Sequence, residues 1–145
     1  MVDADAFLKM GREVLAKQPF SVLLGAELMA LESGRRELAV VITDALKQQM
    51  GFAHGGGVSY LADNALTYAG GTAMQVPVVT SEYMINYVRP AIDERLIAPA
   101  RAVHVSRSQA VCRCEVFALR GGEEKLCAIA QGTIAKLPDR NEAST

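Results

Sequence analysis

Residues 51–73 read GFAHGGGVSYLADNALTYAGGTA, and the rest of the chain is organised around this stretch. A histidine, His54, precedes the glycine cluster Gly55 to Gly57, and a helix-compatible run follows. On a wheel advancing ~100° per residue, Val58, Leu61, Ala62, Ala65, Leu66 and Ala69 form one apolar stripe. Gly56, Ser59, Asp63, Thr67 and Gly70 form the stripe beside it, where every residue except the acid is small. Solvated helix faces carry Lys, Glu and Arg, and this run carries none. A carboxylate beside a core-facing stripe, with empty space around it, is a candidate site.

Outward from that helix, the apolar pattern breaks into short segments. On the N-terminal side, residues 3–17 read as an amphipathic helix with Asp3 or Asp5 as cap. Phe7, Met10, Val14 and Leu15 line one side of it, and Pro19 stops it. Residues 20–32 read as a first strand region with Gly25 as a bend, Ser33-Gly34 as a turn, and residues 37–43 as the returning strand. The central helix is expected from about Gly55 to Gly70 or Gly71, because a glycine pair is a good helix stop. Four more strands follow, over 78–88, 96–106, 110–119 and 125–137. Pro99 suggests an edge or a bulge, and Gly132 a bulge. Short turns between the last four strands imply an antiparallel meander. The architecture is therefore α+β: one long helix against a single sheet of about six strands, plus an N-terminal helix. Burying both helix stripes requires a sheet that curls round the helix, or a second subunit.

With 145 residues this is one domain, with the N-terminal helix within residues 1–19 and a polar tail over 138–145. A net charge of −1 gives no nucleic-acid footprint and no attraction to a membrane surface. No apolar run reaches the ~20 residues of a spanning helix, and the mixed-charge N-terminus does not read as a secretory signal. A cytoplasmic protein is expected. Cys112, Cys114 and Cys127 match no zinc spacing and read as reduced core residues.

The motif His54-Gly55-Gly56, followed by Leu61-Ala62-Asp63, resembles the hotdog-fold acyl-CoA thioesterases. The resemblance is closest to the phenylacetate-pathway and hydroxybenzoyl-CoA branch. That branch carries HGG with a catalytic acid nine residues after the histidine, which is the spacing from His54 to Asp63. The order of elements fits over residues 20–137. The resemblance implies a curved sheet wrapped round the helix, dimers or tetramers with active sites at the dimer interface, and no metal or other cofactor. It also implies an amide six residues before the histidine, where Gln48 stands in place of the family's Asn and Gln49 is a substitute. A Ser or Thr early in the following strand would be donated across the dimer. Thr80 falls at that position and Ser81 is its neighbour.

The chemistry of the residues agrees with that family. The first N–H groups of a helix have no intrahelical partner and sit at the positive end of its dipole. They can hold a thioester oxygen as it becomes an oxyanion. Gly55 is the main candidate donor and Gly56 the weaker one. Asp63, two turns on, can activate water or attack the carbonyl itself. The small residues between Gly55 and Asp63 leave room for the thioester. His54 reads better as a rigidifier of the loop or a pocket wall than as a base, and His104 as structural. Ser59, Tyr60, Tyr83 and Met84 are candidates to line the pocket. Arg89, Arg107 and Arg113 are candidates for the phosphates of coenzyme A. The expected activity is hydrolysis of an aryl- or medium-chain acyl-CoA. The alternatives are a non-catalytic acyl-CoA-binding protein of the same fold and a hotdog hydratase or dehydratase.

Overall fold

In the computed structural model, which describes residues 3–32, 35–92 and 94–139, the chain opens with helices α1 (Ala4–Ala16) and α2 (Pro19–Leu24). Strands β1 (Glu27–Glu32) and β2 (Arg35–Val41) follow, then a 3₁₀ turn at Asp44–Leu46 and the long helix α3 (Gly55–Met74). Strands β3 (Val78–Tyr87), β4 (Arg95–Val105), β5 (Gln109–Arg120) and β6 (Glu123–Lys136) complete the fold. The Ser33-Gly34 turn and most of the polar tail lie outside the described residues.

The apolar stripe of α3 is the floor of the core. Val58, Leu61, Ala62, Ala65, Leu66 and Ala69 are all buried, as the wheel requires. They meet the inward residues of the sheet, many of them small, such as Ala110, Cys112 and Cys114 on β5 and Ala128 and Ala130 on β6. Period-two alternation selects these inward residues, and their size lets the helix approach the sheet closely. α3 packs against five strands, β2 to β6, so the sheet curls round it, as the hotdog resemblance implies.

The sheet order is β1-β2-β4-β5-β6-β3, antiparallel throughout. This corrects the simple meander. β4, β5 and β6 are consecutive neighbours, but β3 pairs with β6 at the far edge. The connection after β3 crosses the start of α3, where Ala53 N–H donates to the Ala91 carbonyl at 2.9 Å. β4 therefore enters on the opposite side of the sheet, beside β2.

Four local expectations change for physical reasons. Residues 19–24 are helical, not strand: Pro19 sits in the first turn, and Gly25 ends the helix at φ 72°. Gly70-Gly71 does not stop α3, which runs on to Met74 and ends on Gln75 in the left-handed conformation. Gly70 is a packing residue instead, since a Cβ there would lie 2.6 Å from the Ile134 Cβ. Pro99 lies in a central strand facing Glu37 of β2, and the irregularity in β4 comes later, between Ala102 and His104. Gly132 is in register with Cys112 and Tyr83, and the bulge is on the neighbouring strand, between Thr80 and Glu82. A Cβ on Gly132 would come within 2.5 Å of the Glu82 carbonyl oxygen, so the glycine lets β3 sit close.

Cys112, Cys114 and Cys127 are buried thiols. Burial pushes the Cys112 thiol up to about 11, against a smaller pull downwards from Arg36. Burial, with Glu115 adding to it, pushes Cys114 up to about 12. Both are inert core residues, since the thiolate is the reactive form.

Candidate active site

The start of α3 satisfies its own donors, with one exception. His54 is the N-cap, and its Nδ1 accepts the Gly56 N–H at 2.8 Å. The neutral ring thus carries its proton on Nε2. The His54 carbonyl accepts from Gly57 N–H at 2.9 Å and from Val58 N–H at 3.3 Å. Gly55 N–H has no partner among the described residues. His54 therefore acts as the loop rigidifier the sequence suggested, and it removes Gly56 from the candidate oxyanion donors. The Gly55 carbonyl accepts from the Tyr87 hydroxyl at 3.1 Å, which ties the end of β3 to this helix start.

Asp63 is half-buried on the second stripe of α3. Thr80 on β3 donates its hydroxyl to Asp63 Oδ1 at 2.6 Å. The Thr67 hydroxyl donates to the Asp63 carbonyl at 2.9 Å and lies 3.1 Å from Thr80 Oγ1. Thr80 thus holds the acid of its own chain. Strand geometry explains this, because the bulge after Thr80 keeps both Thr80 and Tyr83 facing the helix and leaves Ser81 exposed. Tyr83 shares a 2.5 Å hydrogen bond with Ser59, one turn before Asp63.

An open cleft of about 670 Å³ surrounds Asp63, lined on the helix side by Gly56, Ser59, Tyr60, Asn64 and Thr67, and by Tyr83 from β3. Its opposite wall is the α1–α2 junction, Lys17 to Ser21, where the sequence reads as a helix end and a strand. The signal that could have found it is proline followed six residues later by glycine, a short-helix signature. A polar cluster fixes this wall. Tyr60 donates to Ser21 Oγ at 2.6 Å, Ser21 donates to Gln18 Oε1 at 2.6 Å, and Asn64 Nδ2 reaches Gln18 Oε1 at 3.2 Å. Ser21 is only 2% exposed, and Phe20 packs edge-on against Tyr60 at 5.3 Å.

Gly55 does not line this cleft. It faces a smaller hollow of about 170 Å³ with Val58, Tyr87 and Arg89. Gly55 and Asp63 are eight residues apart, a rise of ~12 Å along the helix. Both would have to lie within ~3 Å of one thioester to act on it. The expectation that the small residues between them seat a single carbonyl therefore fails within one chain.

The other candidates divide. Arg89 stands beside Gly55. Arg107 lies in the β4–β5 turn, at the sheet end where β3 begins and so opposite Gly55. Arg113 faces away from the helix and donates to Gln131 Oε1 at 2.8 Å. Met84 and His104 are exposed and also face away. Gln48 spends its amide oxygen on the Met50 N–H, closing the loop before α3, and makes no contact with Asp63. Gln49 is exposed in the same loop.

Comparison with known proteins gives this arrangement its family. The family model described as "Thioesterase superfamily" matches residues 50–125. A thioesterase family protein from Silicibacter pomeroyi superposes with a TM-score of 0.81 and 32% identity, over 92% of this chain and 99% of that one. A variant of the phenylacetic acid degradation protein PaaI from Thermus thermophilus superposes with a TM-score of 0.71 and 32% identity, over 83% of this chain and all of that one (100%). A 1,4-dihydroxy-2-naphthoyl-CoA hydrolase of Listeria monocytogenes is 25% identical over 114 residues, 77% of this chain and 90% of the relative. The family match spans the helix that carries Gly55 and Asp63 and the strand that carries Thr80: this chain belongs to the thioesterase superfamily and is a thioester hydrolase of the hotdog fold.

Proposed function

We propose that the protein hydrolyses an aryl- or medium-chain acyl-CoA to the free acid and coenzyme A, at a site completed by a second copy of the chain. The observation that carries this reading is the helix start, where every N–H of the first turn except that of Gly55 has a partner among the described residues. That donor sits at the positive end of a 20-residue helix and suits an oxygen gaining negative charge.

In this mechanism the thioester oxygen lies on Gly55 N–H of one subunit and the carbonyl carbon faces Asp63 of the other. Thr80 holds Asp63 Oδ1 and leaves Oδ2 to work. Asp63 takes a proton from water as the water oxygen bonds to the acyl carbon. The C–S bond then breaks, and the proton passes to the departing thiolate. Direct attack by Asp63, with a mixed anhydride hydrolysed afterwards, uses the same atoms. Ser59 and His54 border the substrate, Arg89, beside Gly55, is the cation for the coenzyme A phosphates, and the amide NH₂ of Gln48 is left to orient the acyl group or water. The reaction calls on no metal or cofactor. The ~12 Å between Gly55 and Asp63 on one helix supports self-association with shared sites. No helix among the described residues is long and apolar enough to cross a membrane, and buried, reduced cysteines suit the reducing cytoplasm in which we place the protein.

The test is thiol release from a panel of acyl-CoAs. Asp63→Asn keeps an oxygen that can accept the Thr80 bond, so the fold should stand while kcat falls at least ~10²-fold. Near-normal turnover by that variant would make the acid structural and end this mechanism.

A further inference from the structure

The cleft at Asp63 does not end at Thr67. A second hollow of about 420 Å³ continues from it between α1 and the C-terminal half of α3, and the two share Gln18 and Thr67 as lining residues. Its walls are Phe7, Met10 and Val14 of α1, Leu31 of β1, and Pro77 and Val78 at the start of β3. Met10 and Val14 belong to the stripe of α1 that would be expected to bury, yet they stand 57% and 53% exposed. The hydroxyls and the Gln18 amide oxygen along the way already have partners. Thr67 donates to the Asp63 carbonyl. Tyr68 donates to the Gly11 carbonyl at 2.9 Å and Thr72 to the Tyr68 carbonyl at 2.7 Å. Gln18 Oε1 is held by Ser21 and Asn64. An apolar guest would therefore strand none of these groups. The hollow between α1, α2 and β1 shares no lining residue with the Asp63 cleft, and neither does the one beside Gly55 apart from the helix they flank.

The geometry points to the α1–α3 groove as the seat of a linear acyl chain, so that the preferred substrate is a straight-chain acyl thioester of about ten carbons and α1 is the specificity wall. This rests on the thioesterase reading above. The length follows from the helix. Asp63 to Gly71 is eight residues, a rise of ~12 Å. That matches nine or ten carbons of extended chain at ~1.3 Å of advance per bond of ~1.5 Å. Each methylene that enters the groove should raise kcat/KM about fourfold, up to that length.

The experiment measures kcat/KM for straight-chain acyl-CoAs from two to sixteen carbons and for phenylacetyl-CoA. The enzymes are the wild type, Val14→Trp and Met10→Trp. Both positions are surface-exposed, and thermal melts confirm folding. The expected result is a wild-type optimum near ten carbons. The tryptophans should lower the long-chain values at least ~10-fold and leave the short-chain and phenylacetyl values within about twofold. A flat chain-length profile, or loss of equal size on every substrate, overturns the groove assignment alone. No turnover of any thioester by the wild type overturns the proposed function and this inference with it.

Discussion

Gly55→Pro isolates the one open donor at the start of α3. Proline has no N–H, and it is tolerated at the first position of a helix, which is where Gly55 stands. The residue before a proline must be extended, and His54 already has φ −61° and ψ 139°. The space also allows it, since a Cβ at Gly55 would meet the Tyr87 ring at 3.5 Å, an ordinary contact. The substitution should therefore remove a single hydrogen-bond donor and little else. Removing an oxyanion donor lowers kcat by about 10²–10³. Gly55→Ala keeps the N–H and should stay within a few-fold of wild type. Thiol release gives kcat, and a thermal melt shows that the helix survives.

Mixing the two inactive enzymes then tests the shared site. Let Gly55→Pro and Asp63→Asn subunits be unfolded together and refolded. If a site takes Gly55 from one subunit and Asp63 from the other, each mixed dimer has one site with both groups intact and one with neither. Random pairing makes half the dimers mixed, so about a quarter of wild-type activity should return, as two-fold symmetry requires. If the groups act within one chain, no mixed site is intact and activity stays at the level of the parents. That result would refute the argument from the ~12 Å helical rise.

Three further outcomes follow from other parts of the structure. Thr80→Val removes the donor to Asp63 and should lower kcat at least ~10-fold with little change in KM, because a hydrogen bond to a charged group contributes about 1.5–3 kcal/mol; Thr80→Ser should recover most of the loss. Gly70→Ala puts a Cβ 2.6 Å from the Ile134 Cβ, so chemical denaturation should show a loss of about 1–3 kcal/mol from overpacking rather than the gain expected of Ala in a free helix. Stability should also fall as pH rises above about 9. The folded chain holds the protons of Cys112, Cys114 and Tyr68 up to about 11, 12 and 12, against ordinary values of 9.0, 9.0 and 10.0. The unfolded chain releases them first, so the stabilisation is complete below about pH 9 and is lost through the window above it. Melting temperatures that stay level from pH 8 to 11 would contradict that burial.

The central helix was legible because its signal is local. One apolar stripe of six residues predicts burial, and all six are buried. Asp63 and Gly55 stood out for the same reason: spacing and side-chain size along a single helix are written in the sequence. What failed to read was non-local. Gly70 looks like a helix stop until Ile134, 64 residues later, is seen pressed against it. Nothing in β3 says that its partner is β6 rather than β4. Residues 19–24 are apolar enough for a strand, and only the proline at one end and the glycine at the other mark a helix. Gln48 and Thr80 were placed from the family pattern alone. Their actual partners, the Met50 N–H and Asp63 of the same chain, depend on a loop closure and a bulge that no periodicity encodes.

The division between what was legible and what was not follows the division of labour in the cleft. Asp63 stands on α3, whose other face is locked into the core by Leu61, Ala62, Ala65 and Leu66, each 0% exposed. Thr80 is held on β3 by the ladder to β6. Groups that must meet a reacting bond to within a fraction of an ångström need such rigid support, and on α3 that support leaves a periodic signature, whereas on β3 the bulge hides it. The facing wall, α1 and α2, lies outside that scaffold. Near the acid it is attached by one small polar cluster, Ser21 with Tyr60, Gln18 and Asn64, and its apolar residues are largely exposed. Substitutions on this wall should therefore change which acyl group fits while leaving the geometry at Asp63 in place, so that specificity and chemistry can vary independently on one helix and its cover.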